Sequence, residues 1–370
     1  MTITRRTLIQ QLTALSLVPV LPGCDQDNTA QTVIDRLSPS TEGFDAQGLS
    51  TADETLNSLE QLNAVIIARH GKIYLAQAYR GSDLDQPVNI KSASKTVLSL
   101  ITGAALADGV LASVDQPVIE ILGRRPASAD PRVDQITVAH LLSMRAGLES
   151  TSGRNYGPWA VSADPVQYAL TRPMIDQPGG RMIYSTGTSH ILSAVLTRAS
   201  GESTLALARR YLGKPLNINI PAWDRDPNGI YYGGNNMFLS PQALLRIGQM
   251  ACLGGVVPDS QPTQSDSVRV LPEAWIDASW QQQGRSRWTG DGYGYGWWLR
   301  SMRTSLLNQY EVVYAWGYGG QMLYLVPELG ISAVMLSRSA PSETRRGHAR
   351  NLHRVMREII LPAAERGQSA

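Results

Sequence analysis

Residues 92–109 carry the sequence SASKTVLSLITGAALADG. This stretch has the length of a helix, is small or apolar on nearly every face, and ends at Gly109. A helix without a polar face is usually buried, and a glycine is typical of a helix C-terminus. Lys95 falls in the first turn, where an ammonium group is costly to bury unless it is used. The pattern predicts a central buried helix that carries a lysine of functional interest.

Lysine is scarce in the rest of the chain of 370 residues. Only Lys72, Lys91, Lys95 and Lys214 occur among 33 basic residues, which face 31 acidic ones. The resulting formal charge of +2 argues against a nucleic-acid-binding protein, which usually carries a basic excess. An apolar content of 43% with 17% charged residues is typical of a globular protein.

The first residues have the pattern of an export signal. Arg5 and Arg6 precede a moderately apolar run, residues 8–21, that is too short and too polar for a stable transmembrane helix. Paired arginines are typical of a twin-arginine signal, and the run ends in Leu-Pro-Gly-Cys at Cys24, like a lipoprotein processing box. We expect export, lipidation of Cys24 and anchoring to a membrane in the periplasm or cell envelope. The alternatives are an ordinary signal peptide with a chance cysteine, or a cytosolic N-terminus.

The cysteines and histidines predict neither a metal site nor a cofactor. If Cys24 is acylated, Cys252 is the only thiol left, and its apolar surroundings suggest a small buried residue. The five histidines lack metal-binding spacing such as His-Glu-x-x-His. His140 and His190 fall in predicted helices, where we interpret them as structural residues.

Strand patterns lie near both ends of the chain. Residues 63–68 and 73–79 predict a hairpin, strands return from about residue 290, and helical patterns fill the middle. This order predicts an α+β fold with one antiparallel sheet built from both ends, flanked by helices, and an inserted helical domain. The predicted boundaries are an export signal at 1–23, a tether at 24–44 and one domain at 45–365, with an α/β part at about 45–110 and 290–365 and a helical part at about 110–290.

Ser92 and Lys95 form a Ser-x-x-Lys motif at the start of the predicted buried helix. Residues three apart share a helix face, so the hydroxyl and the amine can meet. Burial lowers the pKa of a lysine, which can then accept the serine proton, while the helix N-terminus favours negative charge on the attacking oxygen. Roughly 0.4 such pairs are expected by chance, and a capping serine beside a snorkelling lysine is the alternative. The buried context favours catalysis.

Two later stretches could complete such a site. Tyr184-Ser185-Thr186 offers a tyrosine that can relay a proton, although it also fits an ordinary aromatic at a strand end. Thr186 or Thr188 is predicted to cap a helix at 189–200. Residues 315–321, Ala-Trp-Gly-Tyr-Gly-Gly-Gln, would let a substrate approach a strand N–H, although they also fit a hairpin turn.

The order of these motifs resembles that of the serine beta-lactamase and penicillin-binding-protein-like hydrolases, in which Ser-x-x-Lys, Tyr-x-Asn and then Lys-Thr-Gly or His-x-Gly follow one another. The chain is most similar to the class C beta-lactamase-related branch, which includes esterases, D-amino-acid peptidases and 6-aminohexanoate-dimer hydrolases. The resemblance covers roughly residues 45–360. It implies an antiparallel sheet flanked by helices with a helical domain, in agreement with the predicted element order.

The resemblance also implies roles for individual residues. Ser92 would be the acylated nucleophile, Lys95 would help to deprotonate it, and Tyr184 would be the general base or the proton shuttle to the leaving group. The oxyanion hole would use the backbone N–H groups of Ser92 and Gln321. The substrate-binding residues would be Thr186, Trp316, Tyr318, Gly319 and Gly320.

Two departures from the family pattern bear on the substrate. Thr186 stands where the family often has an asparagine that contacts substrate amides. Tyr318-Gly319-Gly320 stands where Lys-Thr-Gly would supply a cation for a substrate carboxylate, which argues against efficient beta-lactamase or carboxypeptidase action. In another register, Trp316 and the following glycine would match the Trp-Gly-Gly of some esterases.

We expect an exported serine hydrolase that cleaves a small ester, amide or peptide through an acyl-enzyme on Ser92. The alternatives are beta-lactamase or D-alanyl carboxypeptidase activity, and a non-catalytic cell-envelope binding lipoprotein on the same fold. A Ser-His-Asp hydrolase is poorly supported, because no Gly-x-Ser-x-Gly elbow occurs. The expected partners are a small-molecule substrate and, through lipidated Cys24, a membrane, but not nucleic acid.

Overall fold

A computed structural model describes residues 43–123, 125–257, 268–339 and 342–367. The predicted export signal and Cys24 lie outside the described residues. The predicted tether at 24–44 overlaps the fold at its end, because Phe44 is buried and its ring packs against Tyr74 at a centroid distance of 5.0 Å. An apolar ring gains free energy by leaving water, so the fold includes Phe44.

The described strands form one large antiparallel sheet and two short pairs. In chain order they are β1 (Leu62–Arg69), β2 (Lys72–Ala78), β3 (Val88–Asn89), β4 (Phe238–Leu239), β5 (Val256–Val257), β6 (Val268–Arg269), β7 (Gly284–Arg285), β8 (Gly292–Tyr293), β9 (Trp298–Arg303), β10 (Gln309–Gly317), β11 (Gln321–Val326) and β12 (Ile331–Ser337). The large sheet has the order β2-β1-β12-β11-β10-β9-β8-β7, while β3 pairs with β4 and β5 with β6. Because β1 pairs with β12, the prediction of a sheet built from both ends of the chain is confirmed.

Helices cover both faces of this sheet. In chain order they are α1 (Ala46–Asn57), α2 (Ser94–Ala107), α3 (Val118–Leu122), α4 (Val138–Leu142), α5 (Tyr156–Ala160), α6 (Pro165–Leu170), α7 (Thr186–Ser200), α8 (Thr204–Ala208), α9 (Pro241–Cys252), α10 (Glu273–Trp280), α11 (Ser342–Val355) and α12 (Leu361–Arg366). The helices α1, α11 and α12 pack on one face, whereas α2 and α9 pack on the other and connect it to the helical part.

The helix α2 is the buried helix that the sequence predicts. Its residues from Ser94 to Ala105 are all buried, and Gly109, which follows it, has a φ of +70°. Leu98, Leu100 and Ile101 are each 1% exposed or less. Full burial of such side chains stabilises a fold by about 1.5–3 kcal/mol each. The packing of helix α2 in the core therefore fixes the positions of Lys95, in its first turn, and of Ser92, just before it.

Two elements differ from the sequence-based expectation. The helix α7 begins at Thr186 instead of residue 189. The N–H groups of a first helical turn have no partner within the helix, and here the Thr186 N–H donates to Ser152 Oγ, in another loop, at 2.9 Å. The helix α9 falls in the predicted helical part, yet it packs on the sheet, since an added Cβ at Gly248 would lie 2.5 Å from Leu323. The apolar face of α9 explains this position, because it covers the apolar face of β11 and β12.

Candidate active site

Ser92 lies in a single 3-10 turn, Lys91–Ala93, that leads directly into α2. Lys91 has a positive φ of 53°, and its N–H donates to Asn89 Oδ1 at 2.8 Å. A non-glycine residue in this conformation costs about 1–3 kcal/mol, so the surrounding contacts must hold the turn in place. The turn sets Ser92 at the N-terminal end of a buried helix, where the helix dipole favours negative charge on its oxygen.

Lys95 approaches Ser92 from the next turn of the same element. Its Nζ lies 3.3 Å from Ser92 Oγ and 2.5 Å from the carbonyl oxygen of Gly234, and the residue is 3% exposed. The hydroxyl and the amine thus meet as the three-residue spacing predicts. The catalytic role of the pair stays a prediction.

Burial changes the protonation of Lys95. It lowers the pKa of the amine to about 7. A cavity of ≈ 10 Å³ beside Lys95, lined also by Leu98, Met144 and Tyr293, is at the lower limit of what a water molecule needs, so little hydration reaches the amine there. With this pKa about half of the lysine is neutral at pH 7, against about 0.03% at the ordinary value. The neutral amine can accept the Ser92 proton.

Tyr184 is the third side chain of the cluster. Its ring lies 4.9 Å from Lys95 Nζ and stacks on Trp298 at 5.6 Å. Burial, the largest effect, raises the pKa of Tyr184 to about 12, and a hydrogen bond with Ser92 opposes it. At pH 7 only about one phenol in 10⁵ would be ionised. Tyr184 is therefore suited to pass a proton on, whereas Lys95 is the better base.

A loop from the helical part holds the Tyr184 segment. Ser150 Oγ donates to the Tyr184 carbonyl oxygen at 2.7 Å, and Ser152 Oγ lies 2.9 Å from Thr186 Oγ1. The Thr186 hydroxyl is thus engaged by Ser152, where an asparagine would offer an amide. A direct contact of Thr186 with substrate stays a prediction.

The turn between β10 and β11 forms the opposite wall. The N–H of Gly320 donates to the Gly317 carbonyl oxygen at 3.2 Å, and Gly319 and Gly320 have φ values of +90° and +97°. An added Cβ at Gly317 would lie 2.2 Å from the carbonyl oxygen of Ile90, two residues before Ser92. The end of β10 therefore lies directly against the segment that carries the serine, as an oxyanion hole shared by the two requires.

Gln321 anchors this turn from behind. Its Nε2 donates to the Ser337 carbonyl oxygen at 2.6 Å, and its Oε1 accepts the Ser337 N–H at 3.1 Å. Ser337 Oγ in turn donates to the Gly320 carbonyl oxygen at 3.0 Å and lies 2.8 Å from His348 Nε2. The main chain of Gln321 lies opposite Gly317 in the strand ladder. Its part in the oxyanion hole stays a prediction.

The remaining predicted substrate residues lie around the same turn. Trp316 is half-buried and packs on Trp298, with ring centroids 5.5 Å apart. Tyr318, at the tip of the turn, is 50% exposed. Trp316 is thus joined to Tyr184 through Trp298, which both rings contact. Contact of Trp316, Tyr318, Gly319 and Gly320 with a substrate stays a prediction.

Sequence reasoning assigned no role in the site to Gly234 and Asn235. Gly234 lies 139 residues from Lys95 in the chain, and an added Cβ there would lie 3.1 Å from Lys95 Nζ. Asn235 Nδ2 donates to the Tyr156 hydroxyl at 2.6 Å, while its buried Oδ1 has no hydrogen-bond partner in the described part of the chain. Tyr156, the first residue of α5, is thus linked through Asn235 to the loop that contacts Lys95. The paired glycines before Asn235 were the only local signal of this close approach.

The two helical histidines make contacts within the fold that fit the predicted structural role, which stays a prediction. His140 Nδ1 accepts the Thr137 N–H at 3.2 Å in a capping box, and His190 Nε2 lies 3.0 Å from Asp226 Oδ2 with both side chains fully buried. The described residues contain no group of three or more acidic, histidine or cysteine side chains placed to hold a metal ion. Nor is any described helix long and apolar enough to cross a bilayer.

Comparisons with known proteins show the family and the fold of the chain. The family model described as Beta-lactamase matches residues 60–356. The chain is 24% identical over 349 residues to 6-aminohexanoate-dimer hydrolase of Paenarthrobacter ureafaciens, with 85% of this chain and 84% of that protein covered. It is 26% identical over 211 residues to Esterase EstB of Burkholderia gladioli, but this match spans 49% of the chain and 53% of the esterase. The octameric penicillin-binding protein homologue from Pyrococcus abyssi superposes with a TM-score of 0.61 at 20% identity, over 83% of this chain and 76% of that one.

Proposed function

Because the chain belongs to the Beta-lactamase family, whose matched relatives include an esterase and a 6-aminohexanoate-dimer hydrolase, we propose that it hydrolyses small esters or amides through an acyl-enzyme on Ser92. The observation that carries this proposal is the distance of 3.3 Å between Ser92 Oγ and Nζ of the buried Lys95. A nucleophile and a base within this reach, with the base desolvated, are the requirements for an activated serine.

Acylation begins with transfer of the Ser92 proton to the neutral Lys95 amine while Oγ attacks the substrate carbonyl carbon. The carbonyl oxygen takes up the electron pair, and the N–H of Ser92 and an N–H of the β10–β11 turn stabilise its negative charge. When the tetrahedral intermediate collapses, the bond to the leaving group breaks. The proton on Lys95 moves through the Tyr184 hydroxyl to that group, so Lys95 and Tyr184 end neutral.

Deacylation repeats these steps with water. A water molecule gives a proton to Lys95 through Tyr184, attacks the acyl carbon and forms a second tetrahedral intermediate. Collapse breaks the bond to Ser92 Oγ, which recovers the proton from Lys95. The Gly234 carbonyl, 2.5 Å from Nζ, accepts one amine N–H, which leaves the lone pair of the neutral amine free to face Ser92.

The test is turnover by the purified chain of p-nitrophenyl esters, a p-nitroanilide and a chromogenic cephalosporin. We expect the esters to react, and the cephalosporin to react slowly because Tyr318 stands where a lysine would hold its carboxylate. Ser92→Ala should abolish turnover, whereas the exposed Ser305→Ala should leave it unchanged. Turnover retained by Ser92→Ala would contradict the proposal.

We further propose that residues 1–23 direct export by the twin-arginine route and that Cys24 carries a lipid. The support is the order of Arg5-Arg6, the apolar run and the cysteine in the sequence. Protein isolated from membranes should begin at Cys24 and carry the mass of an acylated glyceryl group, and Cys24→Ser should release it. An unprocessed Met1 on a soluble product would contradict this proposal.

A further inference from the structure

An open groove lies on the sheet face that carries α11, beside β9 and β10. Its volume is ≈ 1870 Å³, and Trp316 and His353 are among the side chains that line it. Its described lining includes six arginines but only three acidic residues, Asp291, Glu311 and Glu328, so the local balance is positive although the whole chain is nearly neutral. These arginines are Arg285, Arg300, Arg303, Arg350, Arg354 and Arg357. We call this surface the arginine groove.

One wall of the arginine groove is a stripe on a helix. Arg350 and Arg354 lie on α11, and Arg357 lies in the π-helical turn Met356–Ile360 that continues it. Spacings of four and three residues place the three guanidinium groups on one helix face. Like charges at this spacing are unfavourable for the helix itself. Because this row of like charges destabilises its own helix, its simplest explanation is that it binds an anion.

Three of the six arginines that line the groove have guanidinium groups available for a ligand. Arg300 is paired with Asp291 at 2.7 Å, and Arg357 forms an ion pair with Glu358. Arg303, Arg350 and Arg354 are exposed, and among the described side chains and main chain none of their guanidinium groups has an ion-pair or hydrogen-bond partner. Exposed guanidinium groups that line one groove suit bidentate contacts to phosphate oxygens.

The other rim carries an exposed indole. Trp288 lies in the turn between β7 and β8 and is 88% exposed, the most exposed of the described large apolar side chains. A tryptophan side chain with this exposure contributes almost no hydrophobic free energy to folding. Tryptophan beside arginine is the combination that proteins use at the headgroup level of a bilayer.

The described part of the chain also begins at one end of the arginine groove. The Arg69 guanidinium donates to the carbonyl oxygens of Gly43 and Leu329, and Glu328, next to Leu329, lines the groove. Residues 25–42 thus join this end to Cys24. If Cys24 is lipidated as proposed above, the segment that carries the anchor joins the described chain next to the basic surface.

We propose that the arginine groove binds the headgroup phosphates of an anionic phospholipid bilayer. The stripe on α11 contacts the phosphates, and Trp288 enters the interface beside them. Basic pockets of this kind recognise acidic lipid headgroups, and the attraction adds to that of a lipid anchor. This contact would fix the orientation of the domain on the membrane, which attachment through a single lipidated residue does not.

The test uses the non-lipidated chain from residue 25 on, which contains the whole described fold, in sedimentation with vesicles. We expect binding to equimolar phosphatidylcholine and phosphatidylglycerol, and little binding to phosphatidylcholine alone. Arg350→Gln with Arg354→Gln should lower the partition constant by about 30-fold. The matched control, Arg198→Gln with Lys214→Gln, removes the same charge from exposed positions outside the groove and should change it little.

Three results would overturn the proposal: equal binding to both vesicle types, an equal loss in the control pair, or tighter binding of soluble polyglutamate than of vesicles. The last result would make an acidic polypeptide the occupant. Hydrolysis of a soluble p-nitrophenyl ester should be unchanged in Arg350→Gln/Arg354→Gln. The lipid proposal and the hydrolase proposal therefore succeed or fail independently.

Discussion

The rate at which Ser92 is acylated should rise with pH around a midpoint near 7. Burial lowers the pKa of Lys95 to about 7, and the neutral amine is the base. The neutral fraction is then about 1% at pH 5, half at pH 7 and about 99% at pH 9. Acylation should therefore gain about 50-fold between pH 5 and 7 but only about twofold between pH 7 and 9. A lysine with its ordinary pKa would instead gain about 100-fold between pH 7 and 9.

The assay is the second-order rate of labelling by an uncharged fluorophosphonate from pH 5 to 9. It reports the acylation of Ser92 alone, without deacylation or product release. Tyr184→Phe should label more slowly with the same midpoint, because Tyr184, whose pKa burial raises to about 12, does not titrate in this range. A labelling rate that is flat with pH, or that still rises tenfold per unit above pH 8, would refute the assignment of Lys95 as the base.

Three further variants test other parts of the site. Tyr184→Phe should lower kcat by about 10²–10⁴-fold with KM changed little, because proton transfer is lost, and steady-state kinetics on an ester would show it. Lys95→Met should slow acylation at least 100-fold and raise the free energy of unfolding at pH 7 by about 4 kcal/mol in urea titrations, since the native state holds Lys95 at a lowered pKa. That gain should be full below pH 7 and vanish as the pH rises towards 10.5, the unfolded value. Gly317→Ala places a Cβ 2.2 Å from the Ile90 carbonyl oxygen and should lower kcat by about 10²-fold, whereas Gly347→Ala, with no atom within 4 Å of the added Cβ, should not.

The sequence predicts those features that depend on local pattern. The buried helix α2 follows from an apolar stretch closed by Gly109, and the sheet follows from strand patterns at both ends of the chain. Ser92 and Lys95 meet because three residues on a helix fix their relation. Tyr184 could be placed beside them only through the family order of motifs, since it lies 89 residues beyond Lys95 in the chain.

Contacts between distant segments could not be read from local pattern. The Gly234 carbonyl reaches Lys95 across 139 residues, and the paired glycines there permit a close approach without indicating Lys95 as the partner. Thr186 begins α7 early because Ser152, in another loop, accepts its N–H. The partner of a buried amine and the first residue of a helix depend on which surfaces pack together. Tertiary packing routinely overrides the local preference for a cap or a helix start.

The most direct measurement of the central claim is mass spectrometry of the enzyme trapped with a fluorophosphonate. The account predicts one adduct, located on the peptide that contains Ser92, with Ser92→Ala unlabelled and Lys95→Met labelled at least 100-fold more slowly. An adduct on any other residue, or an active enzyme with no label on Ser92, would contradict the account.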